Sequence, residues 1–239
     1  MRILALETST EYCSVALWLD GVVTERCELV GQKHSELLIA MLDDLLQATG
    51  YKLQDMDGIA FGMGPGSFTG VRIACGAAQG LAFGAGLPVA GICTLQALAE
   101  ASGKEKVIAA LDARMSEIYH AAYEKHDDAW IAVSEPCLCK PEEAPMVLGD
   151  DWFCAGSGFA VHGEALNRRY AGQCRGTKNS CSGTGTARRA FAAVPQAAAI
   201  AALGAALFAQ GRGMDAAEAL PLYLRDKVAL KIAERECAR

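Results

Sequence analysis

The run Gly64-Pro65-Gly66-Ser67-Phe68-Thr69-Gly70-Val71-Arg72 concentrates the chemistry this sequence could support. Glycines allow close backbone approach, Ser67 and Thr69 offer hydroxyls, and the run leads into a helix whose N-terminus favours anions. Gly64, Gly66, Ser67, Thr69 and Gly70 are therefore the candidate phosphate contacts. The pattern has no lysine and does not match G-x-x-x-x-G-K-[ST], so it is not a P-loop. The same residues equally suit a tight strand-to-helix connection, and spacing alone leaves both readings open.

Two acids, Glu7 and Asp112, close short apolar runs and could hold Mg²⁺ through water; hydrogen bonding in turns is the plainer role. The four histidines, His34, His120, His126 and His162, form neither H-x-x-x-H nor H-E-x-x-H, so no helical zinc pair is expected. His34 reads as a surface residue, with Ser35 as the helix cap and Glu36 at the positive helix end. No Gly-x-Ser-x-Gly elbow supports a serine hydrolase.

The elements that would position these residues follow from periodicity. Apolar runs at 3–6, 13–19 and 22–30, the last two separated by Asp20-Gly21, read as three strands with a hairpin. Leu38, Met41, Leu42, Leu45 and Leu46 fall at helical spacing before Gly50. A strand at 58–61, the Gly-rich loop at 62–70, a helix at 71–85, a strand at 88–92 and a helix at 94–101 complete an order βββαβαβα. That order predicts an α/β fold with a ribonuclease-H-like half, a mixed sheet covered on both faces.

A second copy follows. Ala110-Leu111-Asp112-Ala113-Arg114 echoes Ala5-Leu6-Glu7-Thr8-Ser9, and Phe153-Cys154-Ala155-Gly156-Ser157-Gly158 echoes Phe61-Gly62-Met63-Gly64-Pro65-Gly66. The expected halves are 1–103 and 104–239, with the last helix of the second packing back on the first. In such a duplicated fold the first hairpin of each half grips nucleotide phosphate through an acid followed by glycine. Here Thr8 follows Glu7, and Ala113-Arg114 follow Asp112, so Cβ atoms occupy the space phosphate oxygens need. An ATP-dependent small-molecule kinase built on Glu7, Asp112 and the Gly64–Gly70 loop is the alternative function, and these departures argue against it.

Composition narrows the field. The chain has 239 residues, 52% hydrophobic and 21% charged, with a net charge of −6. It can bury a large core, and its charge has the wrong sign for broad phosphate neutralisation. The ten cysteines contain no C-x-x-C pair; with no signal-like leader, they read as reduced core residues of a cytoplasmic protein. The alanine-rich stretch 190–209 reads as a buried helix rather than a membrane span. Residues 171–189 read as a loop whose arginines and Lys178 form at most a local basic patch.

Five ordered motifs together resemble a known family. They are Leu4-Ala5-Leu6-Glu7-Thr8-Ser9-Thr10, His34-Ser35-Glu36-Leu37-Leu38, Gly64 to Ile73, Leu111-Asp112-Ala113-Arg114, and Pro221 to Ala229. The chain resembles the bacterial TsaB (YeaZ) family of tRNA threonylcarbamoyladenosine biosynthesis proteins over nearly its whole length, with Glu7 where that family commonly has Asp.

The resemblance implies an actin-like, hexokinase-like ATPase-superfamily fold. It also implies a non-catalytic, cytoplasmic subunit that supports threonylcarbamoyl transfer to the tRNA adenosine beside the anticodon by scaffolding the related catalytic subunit TsaD. Partners implied are TsaD in a heterodimer, TsaE and tRNA through that complex, and a second copy of the chain when alone. No intrinsic cofactor is implied, only ATP or ADP at the partner interface. The catalytic relative carries a metal-binding H-x-x-x-H where this chain has Thr94 and Leu98, which cannot replace two imidazoles. His34, Ser35, Glu36, Leu37, Leu38, Met41, Leu45, Val71, Arg72 and Cys75 are the expected partner-binding residues, because an amphipathic helix rich in leucine buries its stripe on something.

Overall fold

Alternation along the first strand decides the layering. In β1 (Arg2–Glu7), Leu4 and Leu6 face one side while Ile3 and Ala5 face the other, as period-2 geometry requires. β1 pairs antiparallel with β2 (Tyr12–Leu19), which pairs antiparallel with β3 (Val22–Leu29) across the Asp20-Gly21 turn. β4 (Gly58–Gly64) and β5 (Val89–Cys93) add in parallel, giving the order β3-β2-β1-β4-β5. This computed structural model describes residues 1–174 and 193–225; the basic residues Arg175, Lys178, Arg188 and Arg189, and the family motif beyond Arg225, lie outside them.

The Leu4/Leu6 side is covered by α1 (His34–Thr49) and α2 (Phe68–Ala85), whose Leu38, Met41, Leu42, Leu45, Ala74 and Ala78 complete that core. α1 stops at Gly50, which takes the left-handed conformation at φ 74° and whose N–H bonds back to the last turn. The Ile3/Ala5 side is covered by an alanine-rich helix from late in the chain, numbered α6 below (Ala197–Ala209). Small residues on both surfaces let it come close: a Cβ on Gly204 would stand 2.5 Å from that of Ala60. Ser14 Oγ and Glu25 Oε1 accept from the N–H groups of Ala197 and Ala198, so side chains of the sheet satisfy the first turn of the helix.

The second half repeats the connectivity. β6 (Lys106–Asp112), β7 (Ile118–His126) and β8 (Ala129–Cys139) form an antiparallel run, and β9 (Phe153–Ala155) joins β6 in parallel, giving β8-β7-β6-β9. α3 (Thr94–Ala101) packs on this sheet through Leu95, Leu98 and Ala99, against Val107, Ala109 and Ala121. α4 (Ser157–Val161) and α5 (Gly163–Arg169) close its other face around Phe159, Leu166 and Tyr170. α3 therefore leans on the second sheet while α6 leans on the first, and Ala97 of α3 joins the α6 core. The duplicated, ribonuclease-H-like α/β halves expected from the sequence are present.

One expectation fails in the second half. Cys154 and Cys174 form a disulfide rather than two reduced thiols. The chain beyond α5 returns beside β9, with Trp152 bridged to Cys174, and only this tertiary contact brings the sulfurs together. Cys13, Cys75 and Cys93 are buried, as expected of small core residues, whereas Cys27 is exposed.

Candidate functional site

The Gly-rich run leaves β4 through the cis peptide Gly64-Pro65 and enters α2 at Phe68. Ser67 caps the helix, its Oγ accepting from Gly70 N–H at 3.4 Å. The glycines then meet the turn after β1. A Cβ on Gly66 would fall 2.6 Å from Ser9 Cβ, and one on Gly70 would fall 2.0 Å from Thr8 O. Thr8 Oγ1 donates to Gly70 O at 2.7 Å, and Ser67 N–H donates to Ser9 O at 2.8 Å. The close approach that glycine permits is thus taken up by the chain's own Thr8-Ser9 backbone. Of the candidate phosphate contacts, Ser67 and Thr69 are exposed, whereas Gly64 and Gly70 are buried.

Glu7 lies beneath this contact, fully buried, with its carboxyl against Gly62. Oε1 accepts from Ser9 N–H at 2.5 Å, while Oε2 is buried without a partner among the described residues. Burial pushes its pKa up to about 7, against the opposing pull of the hydrogen bonds from Ser9 and Thr8. Asp112 occupies the matching place at the end of β6 in a different setting. Its Oδ1 accepts from Arg114 N–H at 3.2 Å and sits 3.2 Å from His162 Nε2, and the Arg114 guanidinium lies 3.5 Å from Oδ2. Both acids are engaged by nearby chain, the plainer of the two roles read from the sequence.

The tail crosses the same end of the molecule. Cys75 Sγ and Gln79 Nε2 donate to Ala219 O, Leu222 N–H donates to Met63 O at 2.7 Å, and Arg225 pairs with Glu117 at 2.8 Å while donating to Ala113 O. Residues 219–225 therefore strap α2 and β4 of the first half to the β6–β7 turn of the second. Arg72, exposed on α2, stacks 3.3 Å from the Phe68 ring centroid and 4.9 Å from that of Tyr223.

The expected partner-binding residues divide sharply. Leu38, Met41, Leu45, Val71 and Cys75 are at most 5% exposed, so their assignment to a partner surface is corrected: this stripe is the intrachain core. His34 is buried and its Nε2 lies 3.1 Å from Tyr12 O, which corrects its reading as a surface residue. Ser35 is not the cap either; the helix opens at His34 with Lys33 in the cap position and no side-chain cap bond. Ser35, Glu36 and Arg72 do face solvent, and Leu37 is half-buried.

Sequence reasoning missed the outward face beside them. Phe83 is 84% exposed and Ile39 50%. Gly76, Gly80 and Gly84 recur every four residues on α2, with nothing among the described residues within 4 Å of where a Cβ would sit. That spacing was visible in the sequence as a small-residue stripe of the kind that lets two helices approach closely. Thr94 and Leu98 are likewise committed within the chain: Thr94 Oγ1 donates to Pro65 O at 2.5 Å, and Leu98 is fully buried. They do not fit a metal, and among the described residues no cluster of three or more His, Cys, Asp or Glu could hold one.

No described helix is long and apolar enough to cross a membrane. Residues 19–231 match the family model described as TsaD: tRNA N6-adenosine threonylcarbamoyltransferase. The chain is 38% identical over 239 residues to the tRNA threonylcarbamoyladenosine biosynthesis protein TsaB of Escherichia coli (strain K12), covering 97% of each. It is 36% identical to the protein of the same name from Haemophilus influenzae, covering 97% of this chain and 96% of that one. The solved structure of YeaZ from Pseudomonas aeruginosa superposes with a TM-score of 0.81 at 36% identity, covering 93% of this chain and 99% of that one.

Proposed function

Because this chain belongs to the TsaB family of tRNA threonylcarbamoyladenosine biosynthesis proteins, we propose that it serves that modification as a non-catalytic subunit, docking the homologous catalytic subunit TsaD through the outward faces of α1 and α2. A role in threonylcarbamoyladenosine formation follows from the family. The docking assignment rests on one observation: α2 exposes Gly76, Gly80 and Gly84 in a row beside Phe83, an apolar and close-approach surface unused by the core of the described residues. A partner with its own copy of this helix pair is the occupant that fits, and in its absence a second copy of the chain takes the same place.

The non-catalytic assignment is supported by Thr94 and Leu98, whose side chains offer no metal ligand where the catalytic relative has two. ATP or ADP, TsaE and tRNA are reached through the complex. The filling of the Gly-rich loop by Thr8 and Ser9 supports placing nucleotide at the partner interface rather than within this subunit.

Modification of tRNA by purified TsaD, TsaE and the carbamoyl-adenylate-forming enzyme is expected to depend strictly on this chain, with no activity from the chain alone. Undiminished modification without it would discard the proposal. Phe83→Glu and Gly80→Leu alter no packed atom among the described residues, so each is expected to weaken TsaD binding by at least about tenfold with unchanged circular dichroism. Full binding by both variants would sink the interface.

A further inference from the structure

β8 carries Cys137 and Cys139 two residues apart, so both thiols leave the same face of the strand. Register sets Cys137 opposite His120 on β7 and Cys139 opposite Ile118. His120 is fully buried, and its Nε2 lies 2.7 Å from the Tyr170 hydroxyl, which also lies 2.8 Å from Pro145 O.

A phenol has one hydrogen and a carbonyl oxygen can only accept, so Tyr170 donates to Pro145 and accepts from Nε2–H. The tautomer is thereby fixed, and Nδ1 carries the lone pair. Nδ1 is buried and has no hydrogen-bond partner among the described residues. Cys137 is the thiol across from this ring: the Cys139 thiol first, and His120 second, draw its titration well below the usual thiol range. The four groups come from β7, β8 and the end of α5, and the function above uses none of them.

We propose that Cys137 is a redox-active nucleophile, with His120 as its base and Cys139 as its resolving thiol, converted by a hydroperoxide into a Cys137–Cys139 disulfide. His120 Nδ1 takes the Cys137 proton. The thiolate attacks the terminal oxygen of the hydroperoxide, the O–O bond breaks, and the imidazolium proton leaves with the alkoxide as alcohol. Cys139 sulfur then attacks the sulfenic sulfur; the S–O bond breaks, and hydroxide departs with the Cys139 proton as water. The two cysteines lose two electrons together, and the hydroperoxide is reduced to alcohol and water.

Closure draws in the end of β8. Residues two apart in a strand are separated by about 6.6 Å, near the upper end of the Cα separation that a disulfide spans but with Cβ atoms too far apart to bridge, so the backbone at Cys139, the last residue of the strand, moves toward Cys137. Both cysteines are partly exposed, giving an oxidant access that Cys13, Cys75 and Cys93 do not have. Such a stretched bridge is expected to be readily reduced again.

The test uses the purified full chain and one equivalent of hydrogen peroxide, read by peptide mass spectrometry. The peptide holding both residues is expected to lose two hydrogens, and Cys139→Ser is expected to leave a dimedone-reactive sulfenic acid at Cys137. At pH 7, iodoacetamide is expected to alkylate Cys137 at least about tenfold faster than the more exposed Cys27, whose thiol burial pushes up. His120→Gln should narrow that preference without changing the Cys27 rate. Should that variant fail to fold, Cys137→Ser serves in its place and should remove the fast phase of alkylation. Cys27 reacting first, or peroxide oxidising the chain without linking Cys137 to Cys139, would overturn the proposal.

Discussion

The turns after β1 and after β6 start from the same plan and reach opposite ends. Each follows an acid that closes the first strand of its half. In the first half Glu7 is sealed under Gly62 and the Thr8-Ser9 backbone is clasped by Gly66 and Gly70, so the turn is interior and the carboxyl is held protonated toward neutrality. In the second half Asp112 stays near solvent, and Arg114, Met115 and Ser116 make the turn in three consecutive left-handed residues, at φ 62°, 55° and 58°. Arg225 of the tail ties that turn down. The difference lies in where the glycines land: Gly66 and Gly70 meet Ser9 and Thr8, beyond the acid, whereas Gly156 and Gly158 meet Ala110, two residues before it, and the exposed Arg114 side chain folds back on Asp112. A similar strand end becomes core or surface according to which of its residues the neighbours without Cβ atoms reach.

The comparison breaks most severely at Gly70. Gly70→Ala drives a Cβ into the Thr8 carbonyl, so a loss of about 3 kcal/mol in chemical denaturation is expected; wild-type stability would mean the two backbones are not in contact. Glu7 sharpens it through pH. Its folded pKa, about 7, is raised above the ordinary carboxyl value of 4.5, so the native state binds the extra proton between those values. Stability should be highest below about pH 4.5 on this account and fall by roughly 3 kcal/mol as pH rises through 7, then level. Glu7→Gln should flatten that slope, while Asp112→Asn should leave it in place.

Thr8→Val removes the hydroxyl that serves the buried Gly70 carbonyl and should cost about 1–2 kcal/mol by urea titration. At the second turn, Asp112→Asn weakens the ion pair with the exposed Arg114 and keeps a hydrogen-bonding oxygen near His162, and a change of at most about 1 kcal/mol is expected. A loss there as large as at Gly70 would erase the contrast. The smallest effect has the other sign: Gly80→Ala, with open space around its Cβ, should stabilise the monomer by about 0.5–1 kcal/mol through helix propensity.

Much of the first half was legible because its signals are local. Leu38, Met41, Leu42, Leu45 and Leu46 set the period of α1, Gly50 ended it, and Asp20-Gly21 marked the hairpin. Which side of that helix remains free was not legible, since the same leucine stripe satisfies a core and an interface equally well. His34 looked like a surface residue because nothing in sequence places Tyr12 O beside it. The reduced-cysteine reading failed at Cys154 and Cys174 because their meeting depends on how the chain returns after α5. A search for C-x-x-C likewise passes over Cys137 and Cys139, whose thiols share a face only because they lie on a strand.

By itself the sequence determined the element order, the duplication and the positions where no side chain is tolerated, because hydrophobic period and missing Cβ atoms are properties of neighbouring residues. What those glycines admit was decided only in three dimensions. The Gly-rich loop could have cradled a phosphate, and it instead receives Thr8 and Ser9, since the parallel pairing of β1 with β4 sets the end of one strand against the end of the other. Contacts of that kind join residues some sixty positions apart, and the free energy that selects them belongs to packing rather than to any local preference.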